Sequence, residues 1–453
     1  MPHIAAEATL SVAKQRGQLL RILGVAFGLA VTIGGTIGMG ILRTPGEIAA
    51  QLPDPRLFIG VWILGGLYAL LGTISVAELG TMIPRSGGFY VFAHRALGPF
   101  AGFVVGWSDW LSTCGTLAVI AIVVGEYTSS LVPALSGKAK PVALSAILFF
   151  TFLQWRGVRW GSRTQNLTSL IKTLAFVALI IACFAFGQGG SLHDEKITPL
   201  MFGLPLVGAL IRALQGVIYT YDGWYGVIYF GEEVRNPARD VPRSMIGGVV
   251  LVITIYLLVN FALLHVMPLS QIAGKELAIG AAAQTIFGAH GDAVIRTLAI
   301  ISMLSTINAY HLTAPRILFA MSCDKLFSER AVRVNTGGTP TVALFLSALA
   351  AIFFILSGTF EKVLAVLAFF FVINYGVSFL SVFILRRREP HTPRPYRAWG
   401  YPFTTGLVLL GSIAFLIGAI KEDTRNSIYA LILLAASYPA FLLMKRLSNN
   451  TEA

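Results

Sequence analysis

The sequence predicts an all-α polytopic membrane protein with twelve transmembrane helices. Three features carry this expectation: scarce charge, a succession of apolar runs of membrane-spanning length, and basic residues gathered in alternate connections. Only 12% of the 453 residues are charged and 56% are hydrophobic, with a mean hydropathy of +0.75. A soluble domain carries about 25% charged residues. This chain has too few polar groups to cover a surface that faces water on every side.

A hydrocarbon core of about 30 Å takes roughly 20 helical residues. Apolar runs of that order fall at 23–44, 57–83, 98–132, 141–155, 165–187, 206–231, 243–267, 291–322, 340–356, 362–385, 402–420 and 426–445, the fourth being short. Strand alternation is absent over these lengths, which argues against a β-barrel. A helix satisfies its own backbone in lipid and is the default span.

The net charge of +13 is not a nucleic-acid footprint. Lys14, Arg16 and Arg21; Arg85 and Arg95; Arg156, Arg159 and Arg163; Arg235, Arg239 and Arg243; Lys325, Arg330 and Arg333; Arg386, Arg387, Arg388, Arg394 and Arg397; and Lys445 and Arg446 occupy alternate connections. The positive-inside rule places both termini in the cytoplasm of a cell (inner or plasma) membrane, and an even span count agrees. Cys114, Cys183 and Cys323 have no disulfide or metal spacing and read as small packing residues in the spans. The polar N-terminal stretch lacks a cleavage site, so no removable signal is expected. No cofactor is expected.

The expected organisation is a cytoplasmic N-terminus (1–22), a first five-helix repeat (23–187), a second repeat of opposite topology (206–385), a basic cytoplasmic loop (386–401), a final helix pair (402–446) and a cytoplasmic tail (447–453). The connections are short. The division rests on two interrupted spans in corresponding places, the first and the sixth. The first contains Gly34, Gly35, Gly38 and Gly40 within Thr32–Ile41; the sixth contains Gly216 and then Tyr219-Thr220-Tyr221-Asp222-Gly223-Trp224-Tyr225-Gly226. Paired interruptions of this kind point to a transporter's binding site. A small-xxx-small helix contact competes as a reading of Gly34 and Gly38. Four glycines in seven residues, with a second break that carries Asp222, favour the site.

An unwound segment exposes backbone N–H groups at the start of the outer half-helix, where the positive end of the dipole suits a carboxylate. The inner half-helix ends in carbonyls that suit an ammonium group or a cation. A zwitterionic amino acid matches both. Asp222 either attracts the substrate ammonium or hydrogen-bonds locally; Tyr219 and Trp224 either stack on the ligand or fill space.

With these residues in view, the chain resembles the amino acid–polyamine–organocation superfamily, closest to its L-type and cationic amino acid permeases. The segments are the broken first span; Glu78-Leu79-Gly80 through Pro84-Arg85-Ser86-Gly87-Gly88 with Leu97-Gly98-Pro99; Tyr221–Trp224 with Gly231–Pro237; Pro315–Met321 with Gly338-Thr339-Pro340; and Arg394-Pro395-Tyr396-Arg397 to Pro402. The resemblance implies a five-plus-five inverted repeat with two extra helices. It implies amides around Thr36, Ile37, Gly38, Met39 and Gly40 on the substrate carboxylate, and carbonyls of Tyr219, Thr220 and Asp222 on its amino group. Tyr219 falls at the family's aromatic gate. Met39 stands where relatives have a small or hydroxyl residue, so the carboxylate contact would rest on backbone. The loop at Val132–Pro141 lacks the cysteine that joins animal relatives to a heavy chain, so no disulfide-linked heavy chain is expected.

Lys172 is the most informative charge. A lysine at mid-membrane costs about 2.5–3.5 kcal/mol on insertion scales and should face the bundle interior, unless it snorkels to the interface. In the family a lysine here resembles a substitute for sodium, reaching between the first and eighth spans near Ser302, Ser305 or Thr306. The resemblance thus implies sodium-independent transport, by exchange or proton coupling, with Lys172 either fixing the conformation of the first span or carrying a coupling proton. Glu78 and Asp109 sit towards the cytoplasmic face, as gate partners of arginines or as plain helix-end charges; Arg43 and Glu126 also lie near spans. The Asn166 sequon falls at a cytoplasmic helix start and is discounted.

His265, His290 and His311 are scattered, which argues against a membrane enzyme, and no repeated filter element suggests a channel. A non-transporting amino acid sensor and a carrier of polyamines or other organic amines remain the alternatives. The side-chain pocket is expected between the third, sixth, eighth and tenth spans, with Thr113, Cys114 and Asn308 as candidates.

Overall fold

The computed structural model describes residues 18–187, 204–357, 360–422 and 424–450, and within them it is helical with only isolated β-bridges. Lys14 and Arg16 lie outside the described residues. The helices are α1 (Val25–Thr36), α2 (Gly40–Gln51), α3 (Pro55–Met82), α4 (Phe89–Leu97), α5 (Pro99–Leu131), α6 (Ala139–Trp155), α7 (Val158–Phe186), α8 (Leu204–Thr220), α9 (Pro237–Val266), α10 (Leu269–Ile272), α11 (Ala278–Phe287), α12 (Gly291–Cys323), α13 (Thr341–Ser357), α14 (Phe360–Arg388), α15 (Phe403–Glu422) and α16 (Thr424–Asn450). Seven helices among the described residues are long and apolar enough to cross a bilayer, eight if α1 and α2 count as one broken span. Shorter apolar helices occur at Ala139–Trp155, Leu206–Thr220, Thr341–Ser357 and Ser427–Leu442.

Local chemistry sets the helix starts. Pro55, Pro99 and Pro237 open α3, α5 and α9, where a missing N–H costs nothing. Asp54 caps α3 by accepting from the amides of Arg56 and Leu57 at 2.7 and 3.1 Å. The first apolar run is two helices meeting at 44°, and the second of them continues past residue 44 to Gln51. The run at 206–231 stops being α-helical at Thr220. The connections are less bare than expected: α4 fills the second, and α10 and α11 fill the one before α12, all too short to register as spans.

One end of the bundle gathers the arginine-rich connections. Leu23 bridges to Val234 and Ser86 to Phe230. Arg85 pairs with Asp324 at 3.0 Å and Arg95 with Glu389 at 2.6 Å; the Arg95 guanidinium holds the Glu389 carboxyl below the usual glutamate range. Deeper at this end, Arg316 on α12 meets Glu233 through two bonds of 2.6 and 2.8 Å, with both side chains fully enclosed. Removing one member strands a buried charge, at about 3–5 kcal/mol. Glu233→Ala is therefore expected to lower the melting temperature of purified protein more than Arg95→Ala, whose ion pair is partly exposed. Equal shifts would deny the buried pair a structural role.

Candidate functional site

A cavity of about 320 Å3 lies against the two interrupted helices. Its lining includes Gly35, Thr36, Gly38, Met39 and Gly40 from the first break and Tyr219, Thr220 and Asp222 from the second. The opposite wall is Thr116, Val119, Ile120 and Val123 of α5, with Met303, Thr306 and Tyr310 of α12 and Phe371 of α14. Arg43, Thr44 and Glu47 line it farther along α2, where Glu47 is exposed and Arg43 pairs with Glu276. The mouth thus points away from the arginine-rich end.

The first break is held by side chains from three other helices. Ile37 leaves α1 in an extended conformation, and α2 restarts at Gly40. Lys172 of α7 is fully buried and donates to the Gly34 carbonyl at 3.0 Å, to the Ile37 carbonyl, and to Thr306 Oγ1 at 3.1 Å. An ammonium has three donors, and all three are used on the C-terminal end of α1 and on α12. Ser302 adds a bond to the Ile37 carbonyl at 3.0 Å. Tyr256 of α9 joins the two breaks: its hydroxyl lies 2.8 Å from the Thr36 carbonyl and 3.1 Å from that of Thr220. Gln165 and Ser169 of α7 bond the Ala30 carbonyl, and a Cβ at Gly34 would lie 1.9 Å from Gln165.

The amides of Gly38, Met39 and Gly40 form no described hydrogen bond with other backbone. They sit at the start of α2, where the helix dipole favours an anion. Across the cavity, Asp222 Oδ2 accepts from the hydroxyls of Tyr225 and Tyr310, each at 3.3 Å, while Oδ1 is buried with no partner among the described residues. Donors on one side and an acceptor on the other match a zwitterion. Of the two roles open to Asp222, the local hydrogen bonding is present in the bonds from Tyr225 and Tyr310.

The site residues divide. Thr36, Gly38, Met39, Gly40, Tyr219, Thr220 and Asp222 meet around one space. Tyr219 is half-buried in the wall, and its own carbonyl receives the Asp222 amide at 3.1 Å. Ile37 contributes a carbonyl to Lys172 rather than a surface to the cavity. Trp224 is set apart, buried against Tyr225, Tyr375 and Gly72. Ser305 bonds Ser169 and Thr168 at 3.1 Å, not Lys172; Thr306 and Ser302 are the residues that complete that cluster. Of the side-chain candidates, Asn308 is taken up by Gln165 and Gln154, and Cys114 lies buried away from the lining. Thr113 borders a small adjoining void instead. Met39 accepts a long contact from the Tyr127 hydroxyl at 3.8 Å.

Two charged residues part company. Glu78 receives Arg386 at 2.8 and 2.5 Å and the Ala398 amide at 2.7 Å. Asp109 has no arginine partner among the described residues; it turns into the core and bonds Tyr229, because α5 is enclosed on nearly all sides. Cys323 is exposed at the end of α12 rather than packed inside. No grouping of metal-ligating residues occurs among the described residues. The pinning role of Tyr256, and the places of Tyr310 and Phe371, had no sequence signal beyond an aromatic in an apolar run.

A membrane-embedded bundle with a mid-span cavity between broken helices defines a transport protein. A family model described as amino acid permease matches residues 23–437, and the chain belongs to that family. It is 32% identical over 441 residues to the serine/threonine exchanger SteT of Bacillus subtilis (strain 168), covering 94% of this chain and 98% of the relative. It is 26% identical over 452 residues to the b(0,+)-type amino acid transporter 1 of Mus musculus (96% and 90% covered). The Asc-type amino acid transporter 1 of Mus musculus is 27% identical over 398 residues (85% and 74%). These relatives are transporters rather than enzymes.

Proposed function

We propose that this permease carries neutral amino acids by alternating access, as a sodium-independent exchanger. The observation that carries the reading is Lys172: its ammonium occupies the carbonyls at the end of α1, the place where a coupling cation would otherwise bind. The free amides of residues 38–40 take the substrate carboxylate, and the Tyr219–Asp222 segment takes the ammonium. The side-chain end of the cavity is apolar apart from Thr116, whose buried hydroxyl has no partner among the described residues, which suits a small side chain able to share one hydrogen bond. Exchange, and serine and threonine as first candidates, come from the bacterial relative named for both.

On this reading the eight long or broken spans and four shorter helices make twelve, arranged as two inverted five-helix repeats plus a pair. The arginine-rich end faces the cytoplasm with both termini, and the cavity opens outward. No heavy chain is needed.

The test is radiolabelled serine uptake into proteoliposomes. Uptake is expected to require preloaded amino acid and to be unchanged, within about twofold, when choline replaces sodium; a 1.4 kcal/mol coupling to sodium would already appear as tenfold. A strong sodium requirement would sink the coupling scheme. Serine binding without any flux would favour a sensor.

A further inference from the structure

We propose that Asp109 and Tyr229 form a separate proton-binding site beneath the amino acid cavity, connected to Asp222 through a cluster of phenols. The inference rests on the reading of the cavity as an alternately accessible amino acid site. Asp109 is fully buried on α5, and both carboxylate oxygens accept from a single donor, the Tyr229 hydroxyl, at 3.0 and 2.9 Å. No lysine or arginine pairs with it among the described residues. An ionisable group at this depth needs a partner or a task, and one phenol is a thin shell for a buried carboxylate.

The connection is visible in the geometry. Asp222, on the cavity wall, is bonded to Tyr225 and Tyr310. A void of about 20 Å3 adjoins the cavity, sharing Gly35 and Tyr310 with it, and is lined by Tyr225, Tyr229, Thr113 and Thr313. That is room for one water among several hydroxyls. The void therefore touches both phenols that serve Asp222 and the one that serves Asp109. The titratable groups around Asp109 are Tyr229 and Tyr225 after the second break, Tyr310 on α12, and Asp222; the flanking Phe89 of α4 and Asn374 of α14 do not titrate.

In the transfer, a hydronium ion in the cavity protonates Asp222 and is left as water, and Asp222 passes the proton to the phenols and returns to carboxylate. Each phenol then releases its own proton onward, by way of one bridging water, as it takes another. Tyr229 delivers the last to Asp109. One proton leaves the cavity, one arrives on the carboxyl, and no phenol stays charged. A protonated carboxyl becomes a donor, which changes its contact with Tyr229. That ring fills the space over Gly88, where a Cβ would lie 2.3 Å away, so proton occupancy bears on whether the arginine-rich end can open.

The test is serine exchange in proteoliposomes across pH, for wild type, Asp109→Asn and Tyr229→Phe, with serine-induced thermal shift as the check on folding and binding. Wild-type exchange is expected to change roughly tenfold between about pH 5 and pH 8, as one essential titrating group requires. Both variants should flatten this to less than about twofold while the thermal shift persists. A flat wild-type profile, or a wild-type profile in either folded variant, overturns the proposal. If wild type binds serine but moves none at any pH, the transport reading fails, and the proton site with it.

Discussion

Lys172→Met is expected to abolish amino acid exchange while leaving the protein assembled in the membrane. Methionine keeps the length and apolar character of the stem, so packing around α7 changes little. What disappears is the set of three donors that ties the Gly34 and Ile37 carbonyls to Thr306. Ile37 retains Ser302 at 3.0 Å; the Gly34 carbonyl loses its described side-chain donor. A buried acceptor stranded in this way costs about 1–3 kcal/mol, and hydrogen bonds from a charged group are worth about 1.5–3 kcal/mol each. The break is then held by Ser302 and Tyr256 without the tie from Gly34 to Thr306, which loosens the geometry of the amides of residues 38–40. At 1.36 kcal/mol per decade, a loss of roughly 3 kcal/mol in the bound state slows exchange about 100-fold. Lys172→Arg should also fail, because a planar fork cannot reproduce three divergent donors in a space closed on all sides. Exchange within about twofold of wild type for the methionine variant would show that α1 holds its shape without the lysine, and that its occupancy of the carbonyls is incidental.

How far the sequence discloses this arrangement depends on what kind of signal each residue leaves. Glycines at 34, 35, 38 and 40 and an aspartate at 222 interrupt apolar runs, and an interruption is visible in one dimension. Lys172 stands out for the same reason. Tyr256, Tyr310 and Tyr229 do not: an aromatic inside a hydrophobic span reads as packing, and only the fold reveals that each hydroxyl meets a carbonyl or a carboxylate. Asp109 was legible as a charge but not as to partner, since α5 is enclosed all round and helical periodicity then says nothing about direction. Trp224 shows the opposite failure, conspicuous beside the break yet packed behind it. The helices α4, α10 and α11 are shorter than a membrane-spanning window, so hydropathy passes over them.

The glycines of the two breaks separate by the same reasoning into those that shape the backbone and those that leave room for the ligand. Gly223 has φ +104, and a Cβ there would lie 2.7 Å from the Gly35 carbonyl carbon and 2.9 Å from the Thr36 nitrogen. Both clashes are with backbone, which has no rotamer to yield, and the dihedral adds about 1–3 kcal/mol of strain. Gly223→Ala must therefore push the two breaks apart at the point where Tyr256 holds them together. A fall in melting temperature on the order of 10 °C and loss of measurable exchange are expected. Gly38 differs: its backbone is open to other residues, and the nearest side-chain atom to a new Cβ is Thr306 Oγ1 at 3.8 Å, an ordinary contact. It also lines the cavity, among the amides proposed to take the substrate carboxylate. Gly38→Ala should melt with wild type yet bind serine about tenfold more weakly, a change of roughly 1.4 kcal/mol. Should the alanine at 38 melt early and the one at 223 bind normally, the assignment of shape to one glycine and space to the other is reversed.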